Sequence, residues 1–248
     1  FKRNRIKNSY KDVFKIIANS SYTKDLMQAS LKIKSEMIDV IHPGIDVYKE
    51  FISNDDKKHV KSIINHRSPI ITTLARVEER KGHKYVIKAV DELRSTFPNI
   101  IYLIAGEGPF LSEIKRYTKK LNLEDNVSFI GWITEPEKSL ILKNSDIFIM
   151  TPTLIGESVE GFGMAYIDAA FHGIPAIGTT TGGVADAIVH NQTGLLCEPN
   201  NQEQITRSIR KLLSNDSLRK ELGNNGRDRA YNLFAWKNKI KEYLHAKK

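Results

Sequence analysis

The sequence predicts an α/β fold, with a doubly wound parallel sheet over residues 69–230, from three observations. Short apolar runs alternate with segments of helical periodicity. The runs are continuously apolar, which is typical of parallel strands that helices cover on both faces. The candidate motifs lie in loops that follow these runs, where open α/β sheets bind their ligands. With 248 residues, 40% hydrophobic and 27% charged, the chain can form one large domain or two smaller ones.

The elements of this domain follow one another in order. Continuous apolar runs predict strands, at 70–74, 100–105, 127–130, 147–150, 175–178 and 194–197. Apolar residues at helical spacing predict helices between them, through 86–93, through 111–117, around 140–142 and over 164–171.

The two ends of the chain do not belong to that sheet. Strands at 14–18 and 37–41, with a helix over 22–31, cannot bury their own faces. We therefore interpret residues 1–56 as the tail of a truncated N-terminal α/β domain, and the start at Phe1 indicates a fragment. Residues 57–68 are predicted to be a polar linker, and 231–248 a terminal helix whose apolar stripe must dock elsewhere.

Composition limits the classes of partner. The net charge of +9 favours either simple solubility or attraction to a phosphate-bearing substrate, a lipid surface or nucleic acid. Nucleic acid is the least supported of these partners and is not predicted, because the basic residues are spread over 2–11, 115–120 and 237–248 without a recognition motif. Cys197 is the only cysteine, so no disulfide framework is predicted and the cytoplasm is the default location. No apolar run approaches membrane-spanning length.

The most informative motif begins at Glu160. Gly161, Phe162 and Gly163 lead into an apolar helix at Met164, and a glycine-rich turn that opens a helix forms an anion site. A carboxylate beside that site would repel phosphate, so Glu160 indicates a ligand with phosphate at one end and hydroxyl groups nearby. A nucleotide sugar fits this description.

Charged residues on two further elements extend the candidate site. Arg76 and Lys81 follow the first strand of the sheet, and a guanidinium with an ammonium in one loop suits a diphosphate, although an ordinary charged loop is the alternative. Asp168 is predicted to lean back toward Met164, because helical side chains point toward the preceding turn. There it would accept hydrogen bonds from ribose hydroxyls, whereas the alternative is a solvent-exposed aspartate.

Two glycine-containing loops are weaker candidates. Gly106 and Gly108 follow the second strand, but Leu111 stands where a dinucleotide fingerprint needs glycine, so a tight turn beside a ligand or a mere turn is predicted. Thr181 lies in a hydroxyl-rich turn that offers phosphate or sugar contacts, with a simple turn as the alternative. The sequence shows no Ser–His–Asp set or metal cluster. His42, His83 and His172 have no recognisable partner, which indicates structural or surface roles.

Together these segments resemble the retaining nucleotide-sugar glycosyltransferases of the family that includes sucrose synthase and bacterial mannosyl- and glucosyltransferases. The matching stretches run in the family's order, at 17–25, 42–46, 76–82, 105–109, 129–131, 160–168 and 182–194. The resemblance implies a GT-B architecture, in which two Rossmann-like domains face each other across a cleft. This chain would hold the donor-binding domain, the tail of the acceptor domain, and a C-terminal helix that returns to the latter.

The resemblance also implies roles for individual residues. Arg76 and Lys81 would grip the donor diphosphate, Glu160 would hydrogen-bond the donor sugar, and Asp168 would hold the ribose. The backbone of Ile130 and Trp132 would line the base, and the amides of 162–164 would bind sugar or phosphate. Asp168 and Asp186 both stand where the family commonly has glutamate.

The implied activity is transfer of a sugar from a nucleotide-diphosphate sugar, with retention of configuration and without a cofactor or essential metal. A sugar, lipid-linked or polysaccharide acceptor is expected, as in surface polysaccharide, lipid or glycan synthesis, with peripheral contact at the inner membrane face. Two other functions stay open, a non-catalytic nucleotide-sugar binding module and a nucleotide-sugar epimerase. A pyridoxal-phosphate phosphorylase would need a cofactor lysine motif, and none is recognisable.

Overall fold

The computed structural model describes residues 13–46 and 51–246 of the protein. The predicted basic segment at 2–11 and the last two residues of the predicted terminal helix lie outside these ranges. No helix in the described ranges is both long enough and apolar enough to cross a membrane.

The N-terminal part is a small parallel unit. Strand β1 (Ile16–Ala18) leads into helix α1 (Ser21–Leu31), and strand β2 (Ile38–Val40) pairs with β1 in parallel. Ser20 caps α1 by accepting a hydrogen bond from the Thr23 amide, which explains where the helix begins. The strands and helix agree with the predicted ones to within two residues at each end.

Helix α2 (Asn54–Ile64) corrects the predicted polar linker. A capping box at Ser53 and Asp56 starts the helix, and its one buried residue, Val60, packs against Ile70 and Leu103 of the sheet. The segment resembles a linker in sequence because only a narrow stripe of α2 is buried. Its contact with the sheet shows that the linker prediction was wrong for residues 57–64.

Six parallel strands form the main sheet, in the order β5-β4-β3-β6-β7-β8. They are β3 (Ile70–Leu74), β4 (Ile101–Ala105), β5 (Val127–Gly131), β6 (Ile147–Ile149), β7 (Ala176–Thr179) and β8 (Gly194–Cys197). The strand order reverses between β3 and β6, which places the crevice for a ligand beyond their carboxyl ends. The predicted doubly wound sheet is confirmed.

Helices cover both faces of the sheet. They are α3 (His83–Leu93), α4 (Leu111–Lys120), α5 (Glu135–Lys143), α6 (Met164–Phe171), the short α7 (Val184–Ala187), α8 (Gln202–Leu213), α9 (Asp216–Leu233) and α10 (Trp236–His245). Neighbouring residues of one strand enter different cores, since Ile147 and Ile149 pack with α3 and α8 whereas Phe148 packs with α6. Burial on both sides explains the continuously apolar strands. The sequence pattern alone did not predict α8 or α9.

The chain returns to its N-terminal part before α10. The Ile45 amide donates to Phe234 O at 2.7 Å, and the Trp236 amide donates to Ile45 O at 3.1 Å. Trp236 lies directly over Gly44, where the Cβ atom of any other residue would come within 2.5 Å of the indole ring. The strand-like bridge at Ile45 and this close approach join the segment after β2 to the start of α10.

Candidate functional site

The amino end of α6 carries the centre of the candidate site. Gly163 is the N-cap residue of α6, with φ of 92°, and no side chain caps the helix. The first amides of α6 therefore keep unsatisfied donors, where the helix dipole favours an anion. A Cβ atom at Gly163 would lie 2.5 Å from Tyr166 Cδ2, so the turn requires glycine for both its backbone conformation and its packing.

An open cavity of about 340 Å³ lies at this helix end. The residues around it come from residues 160–163, which we call the glycine loop, from the start of α6, from the end of β6, from the loop after β3 and from the N-terminal part of the chain. They are Asn19, Pro43, Lys81, Met150, Glu160, Gly161, Phe162, Gly163, Met164 and Ala165. The structure thus brings together Lys81, Glu160 and the four predicted loop residues. Asn19 and Pro43, which were not predicted from the sequence, close the side toward β1 and β2.

Glu160 is held by two cations. Its Oε2 atom lies 2.5 Å from Lys81 Nζ and 3.3 Å from Arg80 Nη1. The Glu160 and Lys81 side chains are only 13% and 10% exposed, so this is a largely desolvated ion pair at an anion site. The charges of the two cations and the carboxylate thus compensate one another within this cluster. Arg80 is a functional candidate that was not predicted from the sequence.

Arg76 lies apart from this cluster. Its side chain is 70% exposed and its Nη1 atom lies 3.2 Å from Glu78 Oε1. Glu78 also accepts from Arg80 Nε at 3.0 Å, so one carboxylate draws both guanidinium groups. Lys81 lines the cavity described above and Arg76 does not, so the predicted grip of both residues on one diphosphate stays a prediction.

Two glycines hold the loop after β7 against the glycine loop. A Cβ atom at Gly182 would lie 2.1 Å from Glu160 O, and one at Gly183 would lie 2.0 Å from Gly161 O. The Gly183 amide donates to Glu160 O at 2.9 Å. These backbone contacts fix the position of Glu160. Thr181 itself is buried, with its hydroxyl 3.4 Å from that of Thr179, and it does not line the cavity described above.

Gly106 and Gly108 allow the loop after β4 to lie close against the loop after β3. Cβ atoms at these positions would lie 2.1 Å from Ala75 O and 2.3 Å from Val77 O. The backbone of the loop after β3 therefore occupies the space beside these glycines. The sequence had left open whether the two glycines serve a ligand or only a turn. The ligand contacts predicted for these two glycines stay predictions.

The predicted base-binding segment lies at the end of β5. Ile130 packs partly buried against the sheet core, whereas Trp132 is 84% exposed. Gly131 between them adopts a φ of 65°, and its carbonyl accepts from the Gly106 amide at 2.7 Å. The structure places this segment beside the loop after β4.

Asp168 does not line the cavity of the glycine loop. Its Oδ1 atom lies 3.3 Å from Lys138 Nζ on α5, and both side chains are 20% exposed. Burial raises the pKa of Asp168, and Lys138 opposes this shift. Asp168 lines a second cavity, of about 600 Å³, and its predicted contact with a ribose stays a prediction.

His42 has a carboxylate partner, contrary to the prediction. Its Nε2 atom lies 2.9 Å from Asp186 Oδ2, and its ring stacks on Phe162 with centroids 5.2 Å apart. The Ser21 amide donates to the same oxygen at 2.6 Å. Burial raises the pKa of Asp186, but the hydrogen bonds from Ser21 and His42 outweigh it and the pKa is lowered. No sequence spacing could show a pair 144 residues apart.

The other two histidines have internal partners. His83 Nδ1 lies 3.1 Å from the buried Tyr102 hydroxyl, and burial together with Lys81 lowers the pKa of His83 to about 4. His172 lies 3.0 Å from Ser139 Oγ and 2.8 Å from Asp168 O. Over residues 13–46 and 51–246, no group of three His, Cys, Asp or Glu side chains is placed to hold a metal ion. That the reaction needs no metal stays a prediction.

Comparisons with known proteins show what this architecture resembles. A mannosyltransferase of Mycolicibacterium smegmatis, described as GDP-mannose-dependent and acting on phosphatidylinositol monomannoside, is 26% identical over 221 residues, which is 88% of this chain and 58% of that protein. Mannosylfructose-phosphate synthase of Agrobacterium fabrum is 25% identical over 92% of this chain and 51% of its own length. The chain thus spans little more than half the length of these relatives.

Solved structures share the fold. Anabaena HepE, solved in complex with UDP and glucose, has a TM-score of 0.85 at 19% identity and covers 99% of this chain, which spans 67% of HepE. Sucrose-phosphate synthase of Thermosynechococcus elongatus has a TM-score of 0.81 at 21% identity over the whole chain, which spans 62% of that protein. Both likenesses confirm the predicted GT-B type of α/β fold.

The family model described as glycosyl transferases group 1 matches residues 54–229, which include the whole parallel sheet and the Lys81–Glu160 cluster. Most of the chain lies within this match, and the resemblance inferred from its motifs is confirmed. The chain belongs to the group 1 glycosyl transferases.

Proposed function

We propose that this chain is the donor-binding part of a retaining glycosyltransferase, which transfers a hexose from a nucleotide-diphosphate sugar to an acceptor. The cluster of Glu160, Lys81 and Arg80 at the uncapped amino end of α6 carries this proposal. Cations and helix amides suit a diphosphate, and a carboxylate beside them suits sugar hydroxyls. The mannosyltransferases among the relatives and the UDP and glucose in the HepE structure support it.

Binding of the donor would exchange partners within this cluster. A diphosphate at the amides of Gly163 and Met164 would attract Lys81 and Arg80, which now neutralise Glu160. Glu160 would then accept a hydrogen bond from a donor-sugar hydroxyl. Arg76 lies in an exposed loop and would reach the diphosphate only by leaving Glu78.

The chemistry follows from where charge develops. As the bond between the anomeric carbon and the diphosphate breaks, negative charge grows on the leaving group and positive charge on the sugar ring. Lys81, Arg80 and the α6 amides would stabilise the leaving group as preorganised donors, which is the contribution that a metal ion makes elsewhere. We propose retention at the anomeric carbon, without a protein nucleophile, on the family resemblance.

The acceptor and the location belong to the same proposal. A sugar, a lipid-linked sugar or a polysaccharide is the proposed acceptor, since a relative acts on a phosphatidylinositol mannoside. The net charge of +9 is compatible with a cytoplasmic protein that contacts the inner membrane face, because anionic lipid surfaces attract basic proteins.

Thermal stabilisation and transfer assays test the proposal together. A ligand at a hundred times its Kd stabilises the folded state by about 2.7 kcal/mol, so one sugar among UDP-, GDP- and ADP-linked donors should raise Tm clearly. Lys81→Ala should remove that rise, whereas Lys84→Ala, whose ammonium pairs with Glu113 instead, should keep it. In the complete enzyme, Glu160→Ala should remove most transfer activity without unfolding the protein.

The outcomes separate the candidate functions. Near-normal transfer by Glu160→Ala or Lys81→Ala would contradict the proposed roles. Donor binding without transfer or hydrolysis in the complete enzyme would indicate a binding module, and an altered nucleotide sugar formed without any acceptor would indicate an epimerase.

A further inference from the structure

We propose that a third cavity, at the edge of the main sheet opposite the glycine loop, binds a phosphate-bearing ligand. Four cations line this cavity, and they are Lys57, Lys61, Arg67 and Lys143. The inference does not depend on the proposed function, because this cavity shares no lining residue with the one at the glycine loop. A free phosphorylated compound and a phospholipid headgroup both carry the group concerned, and the experiment below separates them.

The third cavity has a volume of about 730 Å³ and lies between α2 and α5. Ile70, the first residue of β3, and Asp146, directly before β6, line it. Lys81 and Met150 follow the same two strands and line the cavity of the glycine loop. The third cavity is thus at the amino ends of β3 and β6, whereas the proposed donor site is at their carboxyl ends.

A sharp turn after α2 forms one wall of the cavity. Asn65 and His66 adopt φ values of 44° and 57°, which are uncommon for residues other than glycine. The Arg67 amide then donates to Ile64 O at 2.9 Å. This turn ends α2 and leads the chain back toward β3, with His66 and Arg67 on the wall of the cavity.

The cavity carries a surplus of positive charge. In the part of the chain that the structure describes, none of the four cations forms an ion pair or a side-chain hydrogen bond. Asp146 is the only carboxylate among the described residues that line the cavity. Its Oδ2 atom accepts from the Ile70 amide at 2.8 Å, and its Oδ1 atom lies 3.3 Å from Arg219 Nη2. Arg219 already balances the charge of Asp146, so the four cations remain without an anion.

The ends of two helices account for only part of this charge. Both α2 and α5 end at the cavity, and a helix carboxyl end corresponds to about half a negative charge. Two such ends offset about one of the four positive charges. The last carbonyls of α5 also have other donors, since Asn144 Nδ2 donates to Leu140 O and Ser145 Oγ to Ile141 O, both at 2.8 Å. About three positive charges are left to attract an anion.

A phosphate group suits this arrangement. The guanidinium of Arg67 can bond two phosphate oxygens at once, and the lysine ammonium groups add charge around it. The floor of the cavity is apolar, with Val60 and Ile70 buried and Ile64 and Leu140 partly buried. A ligand with an apolar part beside its phosphate would cover this floor as well as neutralise the rim.

Binding of pyrophosphate and of vesicles tests this site. Both are measured at low ionic strength on the Lys81→Ala chain, in which the cavity of the glycine loop lacks its lysine. Calorimetry follows pyrophosphate, and co-sedimentation compares phosphatidylcholine vesicles with and without phosphatidylglycerol. Adding Lys61→Met and Arg67→Met together should weaken binding by about tenfold or more, because each basic residue near an anionic surface contributes about fivefold.

Lys119→Met with Lys120→Met is the matched control. Both lysines end α4, are exposed, and line none of the three cavities. This variant loses the same charge from the end of a helix and should bind within about twofold of its parent chain. If the protein with Lys61→Met and Arg67→Met does not fold, Lys57→Met with Lys61→Met, both exposed on α2, takes its place.

The outcomes identify the ligand or remove the site. Vesicle binding that the variant of the cavity loses would identify a phospholipid headgroup. Pyrophosphate binding that it loses, without vesicle binding, would identify a free phosphorylated compound. The inference would be overturned if neither probe binds, if the variant of the cavity binds like its parent chain, or if the control loses as much affinity.

Discussion

At the scale of single residues, the loops of this site are built on buried polar groups. His83 begins α3 directly after Lys81 and Gly82, and it is almost fully buried. Thr73 donates to Ile149 O, and the Tyr102 hydroxyl lies 2.8 Å from Thr73 Oγ1, so that hydroxyl donates to Thr73 and accepts from His83 Nδ1. His83 is therefore held as the neutral Nδ1–H tautomer, which fits its pKa of about 4.

Stability should depend on pH through His83. Its pKa falls from 6.5 in an unfolded chain to about 4 in the fold, so the unfolded chain binds more protons between these values. The stability that His83 contributes is complete above pH 6.5 and is lost as pH falls toward 4, by about 3 kcal/mol. His83→Asn keeps a donor near Nδ1 and does not titrate, so urea unfolding of this variant should lose less stability over the same range. Equal losses in both proteins would contradict the assignment.

The same scale shows what sequence can and cannot reveal about a site. Lys81, Glu160 and the glycine loop were predictable, because a cation after one strand and a glycine turn after another meet at one edge of a parallel sheet. The sequence did not predict the roles of Arg80 and Lys138, or the pairing of His42 with Asp186. Each depends on which of several nearby charges a flexible side chain reaches, and sequence spacing does not hold that information.

At the scale of elements, contacts between loops fix the site. Gly183 has a φ of −85°, which any residue can adopt. Glycine is therefore needed at this position for its lack of a Cβ atom, because Gly161 O lies where that atom would be. Glu160 and the start of α6 thus keep their positions through backbone contact with the loop after β7.

Gly183→Ala should therefore weaken both fold and binding. The added methyl group would push the glycine loop outward, and overpacking of this kind typically costs about 1 to 3 kcal/mol. Donor affinity should fall at least about tenfold, because the α6 amides and Glu160 move together. Gly226→Ala on α9 is the control, since the nearest atom lies 3.5 Å from the added carbon and alanine favours a helix. Unchanged affinity in Gly183→Ala, measured by calorimetry, would contradict this account.

The elements themselves were mostly predictable. Strands buried on both faces are continuously apolar, and all six were located to within one residue at each end. Helix α2 was missed because it buries only Val60, so that its polar surface resembles a linker. The apolar stripe over 231–248 predicted a single terminal helix, but α9 ends and α10 begins within it. The bridge between Ala235 and Ile45 interrupts the helix at this point.

At the scale of the whole molecule, Asp186 attaches the β1–β2 unit to the domain that holds the main sheet. Asp186 accepts from Ser21 at the start of α1 and pairs with His42 after β2. Arg229 on α9 donates to Asp186 O at 2.7 Å and packs over the Phe234 ring. This contact also touches the site, since the His42 ring stacks on Phe162 of the glycine loop.

A double-mutant cycle should detect this attachment. His42→Ala and Asp186→Ala, measured singly and together by urea unfolding, should give a coupling free energy of about 1 to 2 kcal/mol, because the pair is half-buried and charge-assisted. The Lys15–Asp39 pair within the small unit is more exposed and should couple by less than about 1 kcal/mol. Additive effects of the His42 and Asp186 changes would show that the contact does not stabilise the assembly.

The bridge between Ile45 and Ala235 has a consequence for synthesis. These residues are 190 positions apart (45 to 235), and all six strands of the main sheet lie between them. A chain made from its amino end cannot form this bridge until Ala235 has left the ribosome. The β1–β2 unit is made before the main sheet, but it can be anchored through Ile45 only when the segment that begins α10 has been made. The region beside the glycine loop is thus completed only after all six strands of the main sheet have been synthesised.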